Sequence, residues 1–154
     1  MVLGKNGVME GIKPGSLFID MSSINPLVSR EIAKELKKKG ADMLDAQVSG
    51  GEPMAIQGTL AIMVGGEKAD FEAALPVFQA MGKTITHLGP LGAGGFTKLA
   101  NQIIVAGNLT ALGEALTLAK KAGLDRALTL KALGGGLAGS RGLGEKTPNY
   151  APGA

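Results

Sequence analysis

From Gly92 to Gly123 the chain reads GAGGFTKLANQIIVAGNLTALGEALTLAKKAG, a glycine-rich turn opening into one long helix. From Ile103 to Ala119 the helix is apolar nearly all round, broken only by Asn108, Thr110, Glu114 and Thr117. A helix apolar on every side is buried by neighbours rather than lying on a surface, so the rest of the fold is expected to supply cover. Its first turns carry Lys98, Asn101 and Gln102, and residues three and four apart share a helix face. A lysine in this setting is either an end residue that snorkels to water or a working group, and spacing alone leaves both readings open.

The bulk numbers narrow the class. At 154 residues, with 45% hydrophobic and 19% charged side chains, the chain has the size and composition of a globular domain and not of a disordered segment. Aromatic residues are scarce (four Phe, one Tyr, no Trp), which argues against the stacking platforms of nucleic-acid binders. The net charge of +3 includes a run at Lys37, Lys38 and Lys39, which lies at the end of an expected helix. There, cations complement the macrodipole, and a phosphate patch is the minor reading. No cysteine is present and His87 stands alone, so a thiolate or His-rich metal site is excluded. No signal peptide is visible, and the apolar run 103–119 falls short of the roughly 20 residues of a membrane span. A cytoplasmic protein with no membrane and no nucleic-acid partner is therefore expected.

Along the chain, residues 1–15 show weak periodicity and close in a Lys-Pro-Gly turn. SLFIDMSS (16–23) reads as a buried strand. Asn25 then caps a helix with Pro26 at its first position, and that helix, 26–39, is expected to bury Leu27, Ile32, Ala33 and Leu36. Residues 41–48 form a second strand and a short helical segment follows. Residues 60–66 form a third strand, 67–82 an amphipathic helix that Pro76 should bend or shorten, and 83–89 an edge strand. After the long helix, Asp125 caps another at 126–133. Strand and helix in alternation give an α/β class with a mainly parallel sheet. The tail from Gly134 is glycine- and proline-rich and is expected to fray.

Four stretches carry candidate chemistry. GAGGFT, Gly92 to Thr97, superficially offers a GxGxxG fingerprint, but Thr97 stands where the third glycine belongs and no strand with an acidic end follows. Val48-Ser49-Gly50-Gly51-Glu52 closes the second strand, where open α/β sheets bind ligands. Its successive amides form an anion nest or a plain βα turn. Lys98, near a helix start among apolar residues, would have its pKa lowered and so suit proton transfer, with Asn101 beside it; the bland alternative is a solvated pair. The hydroxyls of Ser22 and Ser23 either line a cofactor pocket or serve the turn.

Three pieces stand together in order: IDMSSINP (19–26), LDAQVSGGEPMAIQGTLAIMVGG (44–66) and the long stretch 92–123. Together they resemble the β-hydroxyacid dehydrogenase family, most of all its tartronate semialdehyde reductase branch, with 3-hydroxyisobutyrate dehydrogenases next. The likeness covers about residues 1–140. It implies a partial Rossmann-like sheet of about four strands, then a long interdomain helix and short helices. Residues 1–91 would form the second half of a nucleotide-binding domain, and residues 92–154 the interdomain helix and the start of a helical domain. It also implies that Lys98 is the catalytic lysine and that Asn101 positions substrate beside it. Ser49, Gly50 and Gly51 would hold the substrate carboxylate, and Ser23 would contact the nicotinamide side of the cofactor. Gln47 stands where the family usually has proline, and Gly95 where asparagine is common. The family's opening GxGxxG strand and its closing helices have no counterpart in this sequence.

The expected function is therefore NAD(P)-dependent reduction of a small semialdehyde acid, tartronate semialdehyde to glycerate in type, in a homo-oligomer. NADH and NADPH are left undivided. The alternative is a non-catalytic, self-associating α/β fragment that has lost cofactor binding. A third idea is a small anion or nucleotide binder using Gly92–Thr97.

Overall fold

The computed structural model describes residues 1–140; most of the tail expected to fray lies outside the described residues. Four strands alternate with helices: β1 (Leu17–Asp20), β2 (Asp42–Ser49), β3 (Leu60–Gly65) and β4 (Gly82–His87). The helices are α1 (Val8–Gly11), α2 (Pro26–Lys38), α3 (Gly51–Ile56), α4 (Lys68–Met81), α5 (Ala93–Lys121) and α6 (Arg126–Gly134). The chain divides into two compact units, Met1–Ala100 and Asn101–Ala154. The first holds the sheet, α1 to α4 and the opening turns of α5.

The sheet order is β1-β2-β3-β4. β1 runs parallel to β2, and β3 parallel to β4, each pair joined through a helix of 13 or 14 residues. β2 and β3 are antiparallel, pairing Asp45 with Gly65 and Ser49 with Ala61. The alternation of elements alone suggests a parallel pair here, but connection length decides otherwise. Residues 50–59 hold only the six-residue α3, and a parallel crossover needs a dozen or more residues. The chain therefore turns back on itself.

Local signals set the helix starts. Asn25 Oδ1 accepts the Leu27 N–H at 2.9 Å with Pro26 in the first turn, and Asp125 Oδ1 accepts that of Leu128 at 2.8 Å. α2 buries Pro26, Ser29, Ile32 and Leu36, a stripe at spacings of three and four. Leu27 falls off that stripe and is exposed, which corrects its expected inward place. α4 runs unbroken through Pro76, so the proline does not shorten it. Glu72 and Pro76 are both exposed, so the carbonyl that loses its helical donor lies on the wet side.

Two apolar layers sandwich the sheet. Leu44, Ala46, Ile62 and Val64 pack with Ala74 and Phe78 of α4, while Met43 packs with Ile32 and Leu36 of α2. Alternation along β2 follows: Leu44, Ala46 and Val48 join the α4 layer, and the odd-numbered side chains from Met43 on face the other way. The basic run that closes α2 is exposed, with Lys37 paired to Asp42 and Lys38 to Glu35, each at 2.6 Å.

In the second unit, Leu112 of α5 and Leu130 of α6 form a small cluster with Leu116. Most of α5 is not covered: Ile103 is 74%, Ile104 63% and Leu118 70% exposed. The expected burial of this helix is thus not supplied by the described residues, because the nine-residue α6 offers too little surface. At 29 residues α5 is also long and apolar enough, by length and composition, to cross a membrane, which a count over 103–119 misses. The core helix of a soluble protein passes the same test, and Lys98, Asn101, Asn108 and Glu114 interrupt this one.

The α5 glycines separate packing from propensity. A Cβ on Gly94 would overlap the Met63 carbonyl and sit 2.7 Å from that of Asp45, whereas one on Gly107 would meet nothing within 4 Å. Gly94→Ala is expected to destabilise by about 1–3 kcal/mol although alanine is the better helix former. Gly107→Ala should stabilise by about 0.5–1 kcal/mol. Urea melts of both variants measure the contrast, and equal effects would refute it.

Candidate active site

The odd-numbered face of β2 carries a polar column, Asp45, Gln47 and Ser49, running to the carboxyl end of the strand. Asp45 and Gln47 are fully buried. The alternating D-A-Q-V-S pattern is the sequence signal for this column, and reading 41–48 simply as a buried strand passes over it.

Asp45 explains the glycine-rich turn. Its two carboxylate oxygens accept the N–H groups of Gly92 and Gly95, each at 2.7 Å. The strand thus supplies an anion to the positive end of α5, where amides lack intrahelical partners. Burial pushes the Asp45 carboxyl above the usual carboxylate range, and the two amides pull it partly back. A Cβ on Gly95 would press on Pro26, and Arg30 Nε donates to the Leu91 carbonyl at 2.9 Å, so α2 braces the same turn. Because Asp45 holds the Gly92 and Gly95 amides, they are not open to a phosphate. GAGGFT is a packing turn, which removes the anion-binding idea for Gly92–Thr97.

Gly94 and Lys98 are four residues apart and share one face of α5. Lys98 is half-buried, takes part in no ion pair among the described residues, and has its ammonium pKa lowered by desolvation. Asn101, one turn further, opens the second unit. Ser49 ends β2, and Gly50 (φ +143°) and Gly51 (φ +64°) form the tight turn into α3. Such angles suit glycine.

The chain leaves β1 through an Asx turn in which the Ser22 N–H donates to Asp20 Oδ1 at 2.9 Å, leaving Ser23 exposed. β1 and β2 are parallel, so Ser23 and Ser49 both follow the carboxyl ends of neighbouring strands, where α/β sheets receive ligands. His87 is not such a group: its Nε2 lies 2.8 Å from the Gly66 carbonyl and its ring stacks on Phe71. Among the described residues no cluster of three His, Cys, Asp or Glu side chains could hold a metal.

The family described as the NAD binding domain of 6-phosphogluconate dehydrogenase matches residues 1–89, and that described as the NAD-binding of NADP-dependent 3-hydroxyisobutyrate dehydrogenase matches residues 92–153. The chain belongs to the β-hydroxyacid dehydrogenase family. It is 48% identical over 141 residues to 2-hydroxy-3-oxopropionate reductase of Escherichia coli, covering 92% of this chain and 48% of that protein. It is 39% identical over 150 residues to the mitochondrial 3-hydroxyisobutyrate dehydrogenase of Mus musculus, covering 97% and 44%. The solved 3-hydroxyisobutyrate dehydrogenase of Mycobacterium tuberculosis superposes with a TM-score of 0.82 at 34% identity, over 94% of this chain and 49% of that one. That of Salmonella typhimurium gives 0.86 at 29% identity, over 94% and 51%. The chain spans about half the length of the relatives it matches. Both matched regions are NAD-binding, and the cofactor class is NAD(P). The Gly92 and Gly95 amides, both held by Asp45, do not fit its phosphates.

Asp45 can be tested directly. Asp45→Ala strands two buried N–H groups and is expected to cost about 2–4 kcal/mol. The raised folded pKa means that the native state holds the extra proton between the unfolded and folded values. The group's contribution is therefore full below the unfolded value and is lost as pH rises through the folded one. Asp45→Asn should remove that slope from denaturant melts in the acid range that starts at the ordinary carboxylate pKa and extends upward from it. An unaltered slope would refute the assignment.

Proposed function

We propose that the protein is an NAD(P)-dependent oxidoreductase that reduces a small semialdehyde acid of the tartronate semialdehyde type, with Lys98 as general acid and base. The observation that carries this reading is Lys98 itself. It is half-buried, without an ion-pair partner among the described residues, and depressed in pKa by desolvation. It projects from the helix that Asp45 seats on the polar face of β2. The greater identity to the 2-hydroxy-3-oxopropionate reductase than to the 3-hydroxyisobutyrate dehydrogenases supports the choice of substrate.

In this reading residues 1–91 serve the nucleotide and residues 92–154 begin the helical part. Ser49, Gly50 and Gly51 hold the substrate carboxylate, the turn amides and the Ser49 hydroxyl acting as donors. Asn101 orients the substrate beside Lys98, and Ser23 meets the nicotinamide end of the cofactor. NAD(P)H supplies the hydride when bound. As the carbonyl carbon gains it, the Lys98 ammonium gives its proton to the carbonyl oxygen, leaving a hydroxyl and a neutral amine that solvent reprotonates. In reverse the neutral amine takes the hydroxyl proton. A lowered pKa serves both directions, because it makes the ammonium a stronger acid and raises the share of neutral amine at a given pH. The protein is placed in the cytoplasm as a homo-oligomer, whose interface would cover α5.

A second reading, a self-associating α/β module without catalysis, is favoured by one observation, the exposure of Ile103, Ile104 and Leu118. Calorimetric titration with NADH and NADPH separates the two, since tight binding excludes the second.

In the full-length protein, Lys98→Met should lower kcat/KM for tartronate semialdehyde by about 10²–10⁴ while leaving cofactor affinity nearly unchanged. Reduction by the wild type should fall as pH rises through the Lys98 pKa, below the ordinary lysine value of about 10.4, and the variant should lack that limb. Undiminished turnover by Lys98→Met would sink the lysine mechanism. Turnover of the aldehyde of 3-hydroxyisobutyrate alone would sink the substrate choice.

A further inference from the structure

Gln47 is fully buried, and its place in the sheet is unusual. The last β1–β2 pair is Asp20 with Asp45, so Gln47 lies two residues beyond the point where β1 leaves the sheet. Its side chain reaches across the space that β1 vacates, and Nε2 donates to the Ser22 carbonyl at 3.1 Å. That carbonyl also accepts the Ile24 N–H at 3.1 Å, while the Ser22 N–H is held by Asp20 at 2.9 Å. The peptide plane leading into Ser23 is therefore held through its carbonyl, and the plane before it through the Ser22 N–H. Among the described residues Gln47 Oε1 has no hydrogen-bond partner, and it lies against Gly94, close enough that a Cβ there would come within 2.9 Å of it.

A buried amide with one end unsatisfied is a poor choice if the position only needs filling, since an apolar side chain of the same shape avoids the desolvation penalty. We infer that Gln47 is a positioning residue for the cofactor's reacting end: it ties the Ser22–Ser23 turn to β2 beside the first turn of α5, and so sets where Ser23 stands. This inference rests on the role given to Ser23 under Proposed function. Gln47 itself touches neither substrate nor cofactor. Its effect passes through the Ser22 carbonyl, and one side chain thereby keeps the turn after β1 in register with the helix that bears Lys98.

The test uses Gln47→Met and Gln47→Leu in the full-length protein, made in parallel so that one poorly folding variant does not decide it. Expected are a melting temperature unchanged or raised and faster amide exchange confined to residues 21–24. NAD(P)H binding should weaken by about 3–10-fold, the loss of one neutral hydrogen bond's worth of positioning. Combined with Ser23→Ala, the two losses should be non-additive, as for residues acting through one another. Additive losses, or unchanged affinity in the Gln47 variants where Ser23→Ala weakens it, would overturn the inference. Cofactor binding indifferent to Ser23→Ala would remove the role of Ser23, and the inference with it. A wild type that binds neither NADH nor NADPH overturns the oxidoreductase reading on which the inference stands.

Discussion

The fold around the candidate site depends on one carboxylate. Asp45 is buried in the middle of a strand, where a charged group is costly unless its hydrogen-bonding capacity is used. Two backbone N–H groups at the opening of α5 use it, at 2.7 Å each. Desolvation and these two bonds oppose one another, and desolvation sets the net upward direction of the pKa. The interaction demands that the helix start come almost into contact with the strands. That in turn requires glycine at 94, where any side chain would meet the carbonyls of Met63 and Asp45, and at 65, where it would overlap the Asp45 carboxylate. The run of glycines is thus a consequence of where the anion is placed.

The two faces of β2 divide the work of the first unit. Leu44 and Ala46, with Ile62 and Val64 of β3, make the apolar contact with α4 that holds the sheet together. The opposite face is apolar only at Met43 and then becomes polar through Asp45, Gln47 and Ser49 as it approaches the carboxyl end. Each polar residue there has a different task. Asp45 seats a helix, Gln47 grips the turn after β1, and Ser49 begins the glycine turn. Strand alternation places all three on one side without any further device.

What was legible in the sequence was local. Asn25 and Asp125 cap helices by bonding amides two or three residues ahead, so a short window contains both partners. The four strands and the helices between them follow from apolar runs bounded by glycine and proline, and the family from motifs spread over the three quoted stretches. What was not legible joins residues far apart. Asp45 meets Gly92 across 47 positions, and Gln47 meets Ser22 across 25. No periodicity links such pairs. Leu27 misled because an apolar residue next to a cap resembles a core residue until the buried stripe through Ser29, Ile32 and Leu36 is known. The apolar girth of α5 suggested a buried helix, but the described residues leave Ile103, Ile104 and Leu118 exposed, and a sequence window does not say what, if anything, covers them.

The same physics also decides which part of a cofactor this chain can serve. Helix N-termini bind phosphate because their amides point at an empty space. At α5 that space is filled from within, by a carboxylate that belongs to the sheet, and the resemblance of GAGGFT to a dinucleotide turn is a resemblance of geometry put to another end. An internal anion does not leave when substrate does, so the helix is seated permanently. Under the proposed function that permanence is the useful property. A lysine that must give and regain a proton at a fixed carbonyl oxygen gains from a rigid base more than from another ligand contact. Asp45 provides that rigidity a turn or two of helix ahead of Lys98, through its bonds to Gly92 and Gly95.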